Sequence, residues 1–131
     1  DMFNRVKKHM LTQNAKAINR HGSCKYRIDG LKCAIGALIP DAKYTTDMDT
    51  VGSVCSNIKV QHVLIDVFEL VSADSFAIHQ FVTAAHDLQV IHDDYPVIKW
   101  PRELTKFAVN RGLVDTPIDG DSNDIATIPN G

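Results

Sequence analysis

The sequence predicts a mainly α fold carrying a small β-hairpin, an α+β chain with about four helices. Apolar residues recur at helical spacing in four separate stretches, and one Asp-Gly dipeptide sits between short alternating runs. Length and composition bound that reading. At 131 residues, 44% apolar and 23% charged, the chain has the make-up of one globular domain and not of a disordered segment. Residues 1–114 are expected to form that domain, and 115–131, DTPIDGDSNDIATIPNG, a mobile acidic tail.

The first stretch, MFNRVKKHMLTQNAKAINRHG, reads as an amphipathic helix with Phe3, Val6, Met10, Ala17 and Ile18 on its apolar stripe. Asp1 is placed to cap it, and His21-Gly22 to stop it. Met2 has the look of a natural start, which makes Asp1 an added or processing remnant. In SCKYRI-DG-LKCAI, Asp29-Gly30 suits a two-residue type I′ turn. That register pairs Ile28 with Leu31, Tyr26 with Cys33, and Cys24 with Ile35 on one apolar face, and turns Lys25, Arg27 and Lys32 outward as a small basic patch. AIGALIP can equally begin a short helix, and its small residues allow close backbone packing either way. Residues 40–58 are rich in turn formers and read as the long loop. Val60, Val63, Leu64, Val67, Phe68 and Val71 then make a second helical stripe, ended by Ser72, with Asp74 as the next cap. Ile78, Phe81, Val82, Ala85 and Leu88 face inward on the third helix. The last, WPRELTKFAVNRG, has Pro101 in its first turn, Glu103 near its N-terminus and Gly112 as its C-terminal cap, with Leu113 packing back.

Charge and cysteine content restrict function. A net charge of −2 excludes a strongly basic nucleic-acid clamp and a strongly acidic DNA mimic. That total hides an asymmetry of +6 over residues 1–32, −4 over 33–114 and −4 over 115–131. No apolar run approaches a membrane span, and no signal-peptide pattern opens the sequence. Three cysteines, an odd number, argue against a disulfide-built scaffold and for reduced thiols in a cytoplasm.

Several constellations are candidates for chemistry. His79, His86 and His92 do not form the H-E-x-x-H zinc pattern, and the HD pairs at His86-Asp87 and His92-Asp93 are too short to establish an HD-type phosphohydrolase. His21, Cys24, Cys33 and Cys55 lack the tight cysteine knuckle of a structural zinc site, so no metal and no cofactor is expected. A Cys33 nucleophile with His92 as base and Asp93 as orienting carboxylate is the enzyme reading, in which the start of a helix lowers the thiol pKa. Asp93 and Asp94 close a helix where its dipole disfavours acids, so the IHDDYP end serves either a function or a specific cap. Lys25, Tyr26, Arg27 and Lys32 make a crude basic-aromatic strip, but no nucleic-acid motif accompanies them.

Two blocks are similar to a family of small uncharacterised phage and bacterial proteins. HGSCKYRIDGLKCAIGALIPDAKY resembles its HG-x-C-x-Y…DG-x-x-CA-x-G-x-LIPD pattern, and LQVIHDDYPVIKWPRELTKFAVNRGL resembles its later HD and Trp block. The matching positions are His21, Gly22, Cys24, Tyr26, Asp29, Gly30, Cys33, Gly36, His92, Asp93 and Trp100, and residues 45–75 fall outside both blocks. The resemblance implies a setting, not an activity: a phage-encoded accessory protein in the host cytoplasm.

The function expected is therefore binding and modulation of a host protein, as a host-takeover or anti-defence factor, without a membrane and without catalysis. The alternatives are a small Cys/His or metal-dependent hydrolase using Cys33, His92 and Asp93, and a nucleic-acid binder using Lys25, Arg27 and Lys32.

Overall fold

A computed structural model describes residues 2–50 and 53–113. Four helices and one two-stranded antiparallel hairpin make the fold: α1 (Met2–Gln13), β1 (Arg27–Ile28), β2 (Leu31–Lys32), α2 (Ile58–Val67), α3 (Ser75–Asp94) and α4 (Trp100–Arg111). Short 3-10 turns at Gly36–Leu38, Asp41–Lys43, Thr46–Thr50 and Val97–Lys99 fill the connections. The predicted N-terminal cap at Asp1 and the tail after Val114 lie outside the described residues.

The first helix is much shorter than its apolar periodicity suggests. It ends at Gln13, where Asn14 takes a left-handed φ of 53° and returns its N–H to the Met10 carbonyl. Beyond it the backbone is put to other uses. Ala17 accepts a hydrogen bond from Lys25 N–H, Ile18 bridges Cys24, and His21-Gly22 belongs to a turn held by the Asn19 carboxamide. Phe3, Val6 and Met10 enter the core from α1, and Ala17 enters it from the extended segment, whereas Ile18 is 42% exposed. The Gln13 carboxamide bonds both the N–H and the carbonyl of Lys32, and His9 donates to the same carbonyl, so the end of α1 covers the edge of β2. Burial lowers the His9 pKa, consistent with a neutral ring there.

The hairpin has the expected centre. Asp29 and Gly30 both have positive φ (51° and 80°), Ile28 pairs with Leu31, and Cys33 N–H donates to the Tyr26 carbonyl at 3.2 Å. Its outer end differs, because Cys24 pairs with Ile18 and not with Ile35. Ile35 instead turns into the core at the Gly36–Leu38 turn, which packs on α1.

In α2, Val60 and Leu64 are buried, and Asn57 caps the start by accepting from Val60 N–H. The helix stops before Val71 reaches it: Glu69 has a left-handed φ of 57°, Leu70 N–H returns to the Ile65 carbonyl, and Val71 is left 76% exposed. Asp74 caps α3 through Ala77 N–H. Val82, Ala85, Leu88 and Ile91 line its buried face, where it meets Trp100, Leu104 and Phe107 of α4. Gly112 (φ 65°) ends α4, and Leu113 N–H reaches back to the Ala108 carbonyl. Trp100 is the largest fully buried side chain, and its indole N–H donates to the Tyr95 carbonyl at 3.2 Å.

Candidate functional site

The last turns of α3 present Gln89, His92 and Asp93, spaced three and four residues apart and so on one face. Residues 16–26 run across that face. His92 is fully buried and stacks on Trp100 with ring centroids 5.3 Å apart. Its Nε2 accepts from Ala17 N–H at 3.2 Å, and its Nδ1 lies 2.7 Å from Asp93 Oδ1. Those partners set the tautomer: the proton sits on Nδ1 and is given to the carboxylate, and the Nε2 lone pair is given to the backbone. The Gln89 carboxamide donates to Asp93 Oδ1 at 2.7 Å and accepts from Ile35 N–H at 3.0 Å. Lys16 Nζ donates to the Asp93 carbonyl at 2.9 Å, a cation placed at a helix C-terminus. The two acids that look misplaced at the end of α3 are thus only half an anomaly: Asp93 is the hub of a polar clamp.

Cys24 joins the same hub. Its sulfur and one ligand atom each from His92 and Asp93 lie within 4.8 Å of one another, the only such metal-type grouping among the described residues. Burial first, and then the hydrogen bond to Asp93, push the Cys24 thiol up to about 12, so it is a protonated donor at neutral pH and no thiolate nucleophile. Sulfur, imidazole and carboxylate are a zinc-type donor set, but the wiring of His92 does not fit one. A metal on Nδ1 requires a proton on Nε2, and that proton would point at the Ala17 N–H. Two donors would then face each other.

The Cys33 nucleophile fares no better. Cys33 is 1% exposed, its sulfur accepts from Gly36 N–H at 3.2 Å, and burial raises its pKa. Both nitrogens of His92 are already engaged, so His92 has no lone pair left to take a thiol proton. The three cysteines are all free thiols in different settings: Cys55 exposed, Cys24 half-buried, Cys33 buried. Iodoacetamide at neutral pH is therefore expected to label Cys55 first, Cys24 slowly and Cys33 only on unfolding. Asp93→Asn should accelerate labelling of Cys24 by removing the charge that opposes its ionisation. Mass spectrometry of the labelled peptides checks this, and rapid labelling of Cys33 in the folded protein would contradict it.

Burial alone would raise the Asp93 carboxyl, but hydrogen bonds from His92, Cys24 and Gln89 outweigh it and leave the pKa below the ordinary carboxylate value. A depressed folded-state pKa contributes stability that is present above the unfolded value near 3.9 and is lost as pH falls through the folded value. Stability should therefore drop with acid below about pH 4. The slope there should be shallower in Asp93→Asn, measured by urea unfolding across the acid range, and an unchanged slope would show that Asp93 does not carry this dependence.

The cluster borders a cavity of about 230 Å³ whose walls include Cys24, Tyr26, Asp49, His86 and Asp93. Asp49 is engaged on both oxygens, Oδ1 by Tyr26 N–H at 2.6 Å and Oδ2 by the Tyr44 hydroxyl. Of the remaining members of the zinc alternative, His21 and Cys55 are exposed, and Cys33 lines the same cavity as Cys24 but is not part of the Cys24–His92–Asp93 grouping.

The basic patch is spent within the chain. Arg27 pairs with Asp41 at 2.8 Å, donates to the Ile39 carbonyl at 2.7 Å and lies 4.8 Å over the Tyr44 ring. Lys32 is 3.5 Å from the same Asp41 carboxylate, whose pKa the Arg27 hydrogen bond and the Lys32 charge depress. Lys25 Nζ lies 3.5 Å from the Asp49 carbonyl. These cations tie the hairpin to the turns after it.

A larger concavity lies elsewhere. An open groove of about 870 Å³ runs between α1, the α2–α3 connection, α3 and α4, and Phe3, Phe68, Phe76, Phe81 and Phe107 line it. Phe3 stacks on Phe107 at 5.7 Å and Phe68 tilts against Phe81 at 5.0 Å, which fixes its walls. Phe76, 67% exposed, stands at its edge. Sequence reasoning misses this groove because its phenylalanines come from four separate segments. Exposed Phe76, at the start of α3 and off the inward stripe, is the available signal. Compared with family models, curated proteins and solved structures, the chain matches none.

Proposed function

We propose that this chain is a partner-binding protein, an accessory factor of the phage-encoded kind that modulates a host protein by seating part of it on the phenylalanine groove. The observation that carries the reading is the groove itself: five aromatic rings converge on one open concavity, and one of them is two-thirds exposed. Phe3 and Phe107 are buried in its floor, and Phe76 offers an exposed ring at its edge for a partner to cover. The enzyme alternative with Cys33, His92 and Asp93 has little to support it, because Cys33 is buried with its pKa raised and both nitrogens of His92 are engaged. The nucleic-acid alternative rests on cations that already have intramolecular partners.

The test is a pull-down from bacterial host lysate with the tagged full chain and its Phe76→Ser variant. Phe76 is 67% exposed and Ser is tolerated in a first helical turn, so the substitution should change stability by no more than about 0.5 kcal/mol. Wild type should retain a discrete protein that Phe76→Ser loses, insensitive to chelators and thiol reagents. Retention of the same proteins by both, or of none across salt conditions, defeats the reading.

A further inference from the structure

We propose that His92 is an acid-sensitive latch: a second proton, taken on Nε2, frees residues 15–18 from α3 while the ring itself stays in place. The latch is independent of what the phenylalanine groove binds.

The wiring of the ring decides which contact gives way. A neutral imidazole with its proton on Nδ1 has one lone pair, on Nε2, and that lone pair accepts the Ala17 N–H at 3.2 Å. A proton added to Nε2 turns the acceptor into a donor, so that two N–H groups point at each other. Ala17 is fully buried, and its N–H can reach water only if the segment moves. The other contacts of the ring gain. The Nδ1–H bond to Asp93 at 2.7 Å becomes an ion-paired one. The stack on Trp100, with centroids 5.3 Å apart, becomes a cation held on an indole face. One proton therefore breaks one contact and strengthens two, and the broken contact is the one that crosses from α3 to residues 15–18.

The surrounding charges couple release to protonation. On α3, Asp93 is the counter-ion of the imidazolium. The crossing segment brings Lys16, whose Nζ is held at the Asp93 carbonyl at 2.9 Å, and Cys24, a neutral thiol. From α1 comes His9, and a charge on either of the two histidines opposes a charge on the other. From α4 comes the uncharged Trp100 ring. With the segment in place, Lys16 and His9 oppose the second proton. Release takes Lys16 away from the ring and lets water in, so the released form holds the proton better. The latched form binds one proton fewer, and its share falls as pH falls. Lys25 N–H is bonded to the Ala17 carbonyl and Ile18 bridges Cys24, so the Cys24 thiol shares the movement.

Nitrogen-15 NMR and amide exchange on the full chain, from about pH 7.5 to about pH 5, read both sides of the latch. The His92 ring should begin as the Nδ1–H tautomer and gain a proton on Nε2. Protection of the Ala17 amide, corrected for the intrinsic pH dependence of exchange, should fall at least about tenfold with the same midpoint. The amides of Leu88 and Leu104, buried in α3 and α4, should change by less than about threefold. His92→Gln sets an amide oxygen near the Nε2 position, an acceptor that does not titrate, and should keep Ala17 protected across the range. His9→Gln keeps a donor for the Lys32 carbonyl and should leave the transition in place. The proposal is overturned by a ring that titrates without change at Ala17, or by one that stays neutral until the whole chain unfolds. It is equally overturned by a transition that persists in His92→Gln or disappears in His9→Gln. If His92→Gln does not fold, the wild-type titration decides alone, because it follows ring and amide in the same sample.

Discussion

Gly36→Ala is expected to destabilise the protein by about 3 kcal/mol or more, seen as a fall in Tm of roughly 10 °C or greater. A Cβ at Gly36 would overlap the Tyr26 carbonyl oxygen and stand 2.9 Å from its carbon, and both are backbone atoms. Neither can swing away as a flexible side chain would. The Tyr26 carbonyl also accepts from Cys33 N–H, so displacing it would open the hairpin at the point where it joins the core. Gly30→Ala is the control. Gly30 has a positive φ of 80° but open space around its Cβ position, so alanine there should cost only about 1 kcal/mol of backbone strain. Thermal melts of the two variants separate crowding from conformation. A Gly36→Ala melt within about 2 °C of wild type would show that the close approach is not maintained in solution.

His92→Ala should cost about 3 kcal/mol or more for two distinct reasons. It removes a fully buried ring that stacks on Trp100, leaving a void beside the largest side chain of the core. It also strips the Ala17 N–H of its acceptor and Asp93 of one of its donors. The second effect has its own signature. Hydrogen exchange at the Ala17 amide should accelerate well beyond what the global loss of stability explains, because residues 15–18 lose their anchor on α3. Exchange at Ala17 that tracks only the global stability would remove the proposed bond while leaving the packing role intact.

How much of this is legible in the sequence depends on the range of the interaction. Helices α2, α3 and α4 follow from their own apolar periodicity, and the caps at Asp74 and Gly112 are local side-chain or backbone choices. The Asp29-Gly30 turn is readable for the same reason, since two adjacent positive φ angles are a local demand. The first helix reads too long because residues 14–18 carry a helical pattern whose backbone groups are claimed from far away, by His92 and Lys25. The site is half legible. His92 and Asp93 stand out as a rule broken at a helix end, but the cysteine that meets them is Cys24, and Cys33 is in the core. A linear sequence does not reveal which of two thiols nine residues apart meets His92 and Asp93 and which is only packed beside them. The basic patch is visible as clustered cations. Its neutralisation by Asp41 and the Ile39 carbonyl depends on how the chain turns after Gly36.

The clamp also imposes an order in time. Ala17 and His92 are 75 residues apart in sequence, and Lys16 and Asp93 are 77 apart. A chain emerging from the ribosome can form α1 and the Asp29-Gly30 turn from local contacts alone, but residues 15–26 have nowhere to dock until the end of α3 has been made. During that interval Cys24 and the hairpin lack their cover. Substitutions at Gln89, His92 and Asp93 act on this long-range closure and leave the local contacts of α1 and the turn untouched.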